Sequence, residues 1–506
     1  MTVGLASVLI LIAAGLPLVA IVVDLPPWRT WSTIAPRGLG TLLFRSLGIA
    51  ASTTALASLI GLPLGILFGT TDLAGRRLLW VVHAFPMFLP PFLLGLGWTH
   101  WFGRRGLLGS EASANVLWSD IGVVLILGLA LAPVTTTLVA AAAGSLERGL
   151  VEAGRTVAKP MLVLWRIVLP AVVPAAALAG VLIFALAFGE LGVPMLLRRN
   201  VYPAAALARL GTVAYAPGEA AVLCLPLVPL ALTLLAIERR FAGPRTFAVL
   251  GLRRSDGSPV PLGRPGGTLS TLAGLVAALG VMPIAALAWR AGSAGGISEV
   301  SSWLGPSVRN SLVVAAAAAV AATILGVIVG HSLLLGQRIA MLLDGLLFLV
   351  FLLPAAVLGT GMIRLWNRSS TQWLYAGVGI LILAATARYT VAALRASAIT
   401  FAQAPRHWEE AARAAGASYL RRLGSIVLPA GRRGVVAAAA LAFVLTLRDV
   451  ETPILFYPPG WAPLTVRIVT LEANGPEAMV AALALVQVLM TAAALGGAAL
   501  ALRRMR

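Results

Sequence analysis

Charge is scarce in this sequence. Asp, Glu, Lys and Arg make up 11% of its 506 residues, against 59% hydrophobic, and the mean hydropathy is +0.96. A soluble globular domain carries roughly 25% charged residues, so a surface this poor in ions excludes a soluble enzyme and a disordered chain alike. Cysteine is nearly missing. Cys224 stands alone, which rules out an intramolecular disulfide and with it the small disulfide scaffolds. Lysine is equally rare: Lys159 is the single one, lying between Ala158 and Pro160. A Walker A loop needs Gly-Lys before Ser or Thr, so the chain has no P-loop. His83, His100, His331 and His407 are scattered, and no pair has the i, i+4 spacing of a helical metal site. No metal and no catalytic residue is expected. The net charge of +20 would suit nucleic acid. The arginines, however, fall in short clusters between long apolar runs, the pattern of membrane topology, and no nucleic-acid partner is expected.

What is abundant is apolar sequence in lengths of about 20 residues, enough to span a bilayer as a helix. Twelve windows qualify, near 3–23, 46–69, 78–99, 119–143, 169–189, 219–237, 268–289, 310–334, 340–363, 375–394, 429–447 and 478–501. This predicts an all-α polytopic membrane protein embedded in lipid. The first window lacks a charged n-region and a clear cleavage site, and reads as a retained helix. Arginines follow the even-numbered windows, as at Arg148 and Arg155, Arg239 and Arg240, Arg245, Arg253 and Arg254, Arg406 and Arg413, and Arg503, Arg504 and Arg506. By the positive-inside rule both termini are expected to be cytoplasmic. Tryptophans such as Trp28, Trp118 and Trp303 flank the windows as an interfacial belt would.

Residues 241–266, rich in Gly, Pro and Ser, form the one clear linker. It divides the chain into 1–240 and 267–506, and these halves repeat. Gly61 matches Gly326 (326 − 61 = 265) and Leu89-Pro90 matches Leu353-Pro354 (354 − 90 = 264). Leu169-Pro170 matches Leu428-Pro429, and Val193-Pro194 matches Thr452-Pro453 (453 − 194 = 259). Six windows per half in the same orientation make this a parallel repeat rather than an inverted one.

After the fourth window of each half comes a polar stretch. The first reads Glu152-Ala153-Gly154-Arg155, passes Ala158 and ends in Leu169-Pro170; the second reads Glu410-Ala411-Ala412-Arg413, passes Gly416 and ends in Leu428-Pro429. The first is one residue shorter from Glu to Leu (169 − 152 = 17; 428 − 410 = 18). A short helix starting near an acid suits the positive helix N-terminus, Gly416 permits a turn, and Leu-Pro is expected to open the next spanning helix. This stretch resembles the EAA loop of ABC-transporter permeases, and the duplicated layout resembles the fused two-domain permeases of ferric-iron and thiamine importers. The resemblance implies the type I ABC importer permease fold in a bacterial cytoplasmic (inner) membrane. It also implies two coupling helices docking on a homodimer of separate ABC ATPase subunits, which bind the ATP and Mg while this chain binds no cofactor, and a periplasmic solute-binding protein. Ferric iron is the solute it suggests first, with thiamine, phosphonate or others behind. The first loop departs from the pattern at Gly154 and Ala158, so unequal docking is expected.

Acids beside spanning helices are costly and default to functional candidates. Glu190 and Asp449 stand at equivalent points before Pro194 and Pro453, with Glu451 nearby. They either pair with Arg448 or a loop arginine and hold the helix end, or line the exit of a cationic substrate path. Pro90 and Gly95, with Pro354 and Gly359, break the third window of each half, exposing carbonyls to a cavity or packing helices closely. A gradient-driven secondary transporter is the rival reading. It calls for ionisable groups deep in the bundle, and the windows are expected to hold almost none.

Overall fold

The computed structural model describes residues 2–23, 25–34, 38–146, 148–211, 217–241, 261–293, 296–403 and 406–505. Residues 242–260 of the expected linker, with Arg245, Arg253 and Arg254, lie outside these, as does Arg506. Among the described residues there is helix and turn but no strand. The first half runs α1 (Thr2–Val23), α2 (Leu39–Thr70), α3 (Arg76–Phe88), α4 (Pro91–Phe102), α5 (Asp120–Gly144), α6 (Arg148–Val157), α7 (Met161–Gly189) and α8 (Gly218–Phe241). The second runs α9 (Gly266–Gly292), α10 (Ser307–Leu334), α11 (Arg338–Leu352), α12 (Ala355–Trp366), α13 (Gly379–Phe401), α14 (Arg406–Ala414), α15 (Tyr419–Ala430), α16 (Arg432–Arg448) and α17 (Glu477–Arg504).

Nine described helices alone have the length and apolarity of a span, and three bent pairs bring the total to 12. The third and ninth windows are therefore not straight helices: α3 and α4 meet at 105°, and α11 and α12 at 108°. The cause is local. A residue before proline is pushed out of the α region, and Leu89 (ψ 152°) and Leu353 (ψ 138°) are both extended ahead of Pro90 and Pro354. A third bend of 86° separates α15 from α16 at Gly431, where a side chain would press on the Phe401 ring.

The Leu-Pro pairs that close the two polar stretches behave differently from expectation. They do not open a helix, because α7 already begins at Met161 and α15 at Tyr419. Instead the turn before each proline widens to a π-helix, over Leu164–Val168 and Leu423–Val427. A proline ring inside a helix clashes with the carbonyl four residues back, and a turn closed five residues back relieves that clash. The same device, Leu11–Gly15, precedes Pro17 in α1.

Small residues set the packing. In α2 the glycines 61, 65 and 69 lie on one face against α5: a Cβ at Gly61 would come 2.6 Å from the Ala132 carbonyl oxygen, and one at Gly65 2.7 Å from Val139. Gly326 and Gly330 do the same for α10 against α13, at Leu394. The first helix of each half packs on the other half. A side chain at Gly97 of α4 would run into the Pro283 carbonyl of α9, and one at Gly361 of α12 into the Pro17 carbonyl of α1. Trp101 also donates to the Met282 carbonyl across the first of these contacts, at 2.8 Å.

Candidate functional site

Where the halves face each other lies a cavity of about 330 Å³, far larger than the ~30 Å³ share of one water. Its wall comes from α5, α7, α11, α13 and α16 and from the bend at Pro90 and Pro91. Most of it is Leu, Val and Phe. The polar exceptions are Glu190, Arg388, Tyr389, Arg395, Arg448, Asp449 and Glu451. All three acids expected beside the path thus come together here, and Pro90 with them. Gly95 and Gly359 are packing positions instead, facing Leu196 and Leu455, while Pro354 abuts Gly189.

The three acids hold the backbone around the cavity that they line. Glu190 Oε1 accepts the backbone N–H groups of Gly192 at 3.0 Å and Val193 at 3.3 Å, capping the turn that follows α7. Asp449 Oδ1 accepts Thr452 N–H at 3.1 Å in the equivalent turn after α16. Glu451 joins the halves: it accepts Leu191 N–H at 3.2 Å and the Arg388 guanidinium at 3.0 Å, while Arg388 also donates to Thr452 Oγ1 at 3.0 Å. The arginine partner is therefore Arg388, on a spanning helix, rather than a loop residue. Arg448 donates to the Met87 carbonyl.

The expectation that the windows hold almost no ionisable group is corrected by a second layer of charge. Arg395 of α13 bonds Asp344 of α11 at 3.1 Å and Glu238 of α8 at 3.0 Å. Arg239 reaches Asp344 at 2.6 Å. Asp344 and Glu238 are fully buried, and the Arg395 guanidinium lies 3.7 Å from the centre of the Phe348 ring. Asp344 and Arg388 interrupt apolar windows and Arg395 directly follows one, a signal that the sequence carries. It is hidden when arginines are weighed only as markers of loops.

The polar stretches form α6 and α14. Glu152, Ala153, Arg155 and, in the second copy, Glu410, Ala411 and Arg413 are exposed, while Gly154, Ala158 and Ala412 are half-buried. Gly416, at φ +81°, ends α14: its N–H bonds the Arg413 carbonyl at 3.0 Å and Ala417 N–H bonds that of Ala412 at 2.9 Å, a Schellman motif. The first copy closes with a plain Ala158 N–H to Gly154 carbonyl bond at 2.9 Å. On α14, Glu409 meets His331 of α10 at 3.0 Å and Arg422 at 3.4 Å, and Tyr419 reaches the Ile328 carbonyl at 3.2 Å. In the first copy Gly154 packs on Ile167 and Val163. The side chains of Arg148 and Arg406 lie outside the described residues. Among the described residues no group of three His, Cys, Asp or Glu could hold a metal ion.

Residues 322–506 match the family described as the binding-protein-dependent transport system inner membrane component. The molybdenum transport system permease protein ModB of Mycobacterium bovis is 30% identical over 186 residues, 36% of this chain and 70% of that protein. ModB of Mycobacterium tuberculosis gives the same figures, 30% over 186 residues. The putative 2-aminoethylphosphonate transport system permease protein PhnV of Salmonella paratyphi A is 31% identical over 156 residues, 29% of this chain and 56% of that protein.

Proposed function

The chain belongs to the family of binding-protein-dependent transport system inner membrane components, the permeases of ABC transporters, and from that premise we propose that it is a fused permease pair. It is a transport permease rather than an enzyme. In this reading residues 1–240 and 267–506 are two permease domains joined through 241–266, with both termini in the cytoplasm. The helices α6 and α14 dock on a pair of ABC ATPase subunits, which hold the ATP and Mg, and a periplasmic binding protein delivers a small solute to the cavity. The observation that carries it is the recurrence in both halves of an exposed amphipathic helix followed by a π-turn and Leu-Pro, the last two at one offset (423 − 164 = 259; 428 − 169 = 259). The cavity wall also draws on both halves.

The relatives above are named for molybdenum and 2-aminoethylphosphonate. Ferric iron, suggested by the fused layout, finds no support in those names. The test is co-reconstitution with the ATPase and the binding protein in liposomes. ATP hydrolysis should rise when loaded binding protein is added. Solute uptake that persists without any ATPase and collapses with an ionophore would instead favour the gradient-driven reading, for which the buried charges on α11 and α13 are the relevant groups.

A further inference from the structure

We propose that Arg448 is the solute-contacting residue of the cavity and that the solute it accepts is an oxyanion; this rests on the permease reading above. Three guanidiniums line the cavity. Arg388 is neutralised by Glu451 and Arg395 by Asp344 and Glu238. Arg448 differs from both. Among the described residues no carboxylate oxygen lies within 4.0 Å of it, and its one hydrogen bond goes to the Met87 carbonyl.

A guanidinium carries five N–H donors in a planar fork, so most of Arg448's donors are left for whatever enters. The fork fits the paired oxygens of phosphonate-like or tetrahedral oxyanions, each bond being charge-assisted.

The neighbouring carboxylates each accept hydrogen bonds from other groups. Glu190 is held by Gly192 and Val193 N–H, Asp449 by Thr452 N–H, and Glu451 by Arg388 and Leu191 N–H. The wall around Arg448 is otherwise largely apolar, so its field acts at a lower effective dielectric than in water. An ionised side chain kept in such a place without a direct ion pair is costly, and intramembrane arginines of this kind mark solute pathways. The position equivalent to Arg448 in the first half (448 − 259 = 189) is Gly189, so the cavity offers one such contact rather than two. A single contact suits passage, which needs attraction weak enough for release.

The experiment uses the full chain with its ATPase and binding proteins in liposomes, with molybdate, 2-aminoethylphosphonate and ferric citrate as probes. The variants are Arg448→Gln and Arg448→Lys. We expect uptake of molybdate or 2-aminoethylphosphonate per ATP hydrolysed to fall roughly tenfold or more in Arg448→Gln, the loss of a charge-assisted contact. Arg448→Lys should keep part of it. Should Arg448→Gln fold poorly, Arg448→Lys decides: a raised half-saturating oxyanion concentration supports the proposal and an unchanged one overturns it. Unchanged oxyanion uptake in Arg448→Gln, or a wild-type chain that moves ferric iron and neither oxyanion, also overturns it. Absence of any stimulated hydrolysis in the wild type overturns the permease reading instead.

Discussion

The two halves share their backbone devices and differ in their charges. Pro90 and Pro354 bend equivalent helices, Gly97 and Gly361 each receive the first helix of the other half, and the π-turns fall at equivalent positions. Yet Asp344 corresponds to Trp80 (344 − 264 = 80) and Arg395 to Thr137 (395 − 258 = 137). Where Asp344 and Arg395 of the second half meet Glu238 and Arg239 of α8 in an ionic network, the matching part of the first half has a neutral hydrogen bond, His83 to Thr136 at 2.9 Å. The coupling segments repeat the contrast, since α14 is tied to α10 through Glu409 and His331 whereas α6 rests on apolar contacts. Duplication keeps what the helix path requires; charge is free to diverge, and with it the stiffness of each side.

The largest effect expected from this asymmetry is at Arg395. Removing one partner of a buried ionic group leaves the others uncompensated, at a cost of about 3–5 kcal/mol. Arg395→Leu should therefore lower the unfolding temperature in detergent far more than Thr136→Val, which breaks a neutral bond worth about 1 kcal/mol. Equal losses would erase the distinction between the halves. A smaller effect, and a symmetric one, is expected where the backbone devices match. Gly97→Ala and Gly361→Ala each push a Cβ against a carbonyl of the exchanged helix, and overpacking costs about 1–3 kcal/mol. Unequal losses in the same assay would show that one first helix is held less tightly than the other.

The coupling segments come next. A side chain at φ +81° is strained by about 1–2 kcal/mol, and Gly416 needs that conformation to end α14. Ala158 already carries a Cβ and needs nothing of the kind. Gly416→Asp should thus lower transport per ATP hydrolysed several-fold more than Ala158→Asp. Matching ratios in liposomes would mean that the two segments transmit motion alike, whatever their tethers.

Much of this was legible in the sequence, for physical reasons that can be named. Twelve apolar windows translate into spans because lipid leaves the backbone little choice. The breaks at Pro90 and Pro354 follow from the residue before each proline. The π-turns were not legible, since proline at a helix start and proline behind a widened turn look the same in one dimension. Glu190, Asp449 and Glu451 were found as candidates because acids beside spans are rare. Their shared cavity with Arg388 and Arg448 was not, because those partners come from other helices. The Glu238–Asp344–Arg395 network joins residues 51 to 157 apart, a distance over which no spacing rule operates.

The smallest effect is expected where sequence and structure agree best. Glu190 and Asp449 each accept backbone N–H groups of the turn that follows, 259 positions apart (449 − 190 = 259). Glu190→Gln and Asp449→Asn keep an acceptor oxygen and remove the charge, so each should lose only the electrostatic share of a cap, about 0.3–1 kcal/mol. Glu451 is the control: its carboxylate also compensates Arg388, so Glu451→Gln leaves a buried cation behind and should cost more than either. Thermal unfolding in detergent orders the three variants. A loss at Glu190 or Asp449 as large as that at Glu451 would mean that their charges hold the halves together as well, and that the outer end of the cavity is a single ionic unit rather than two caps and one bridge.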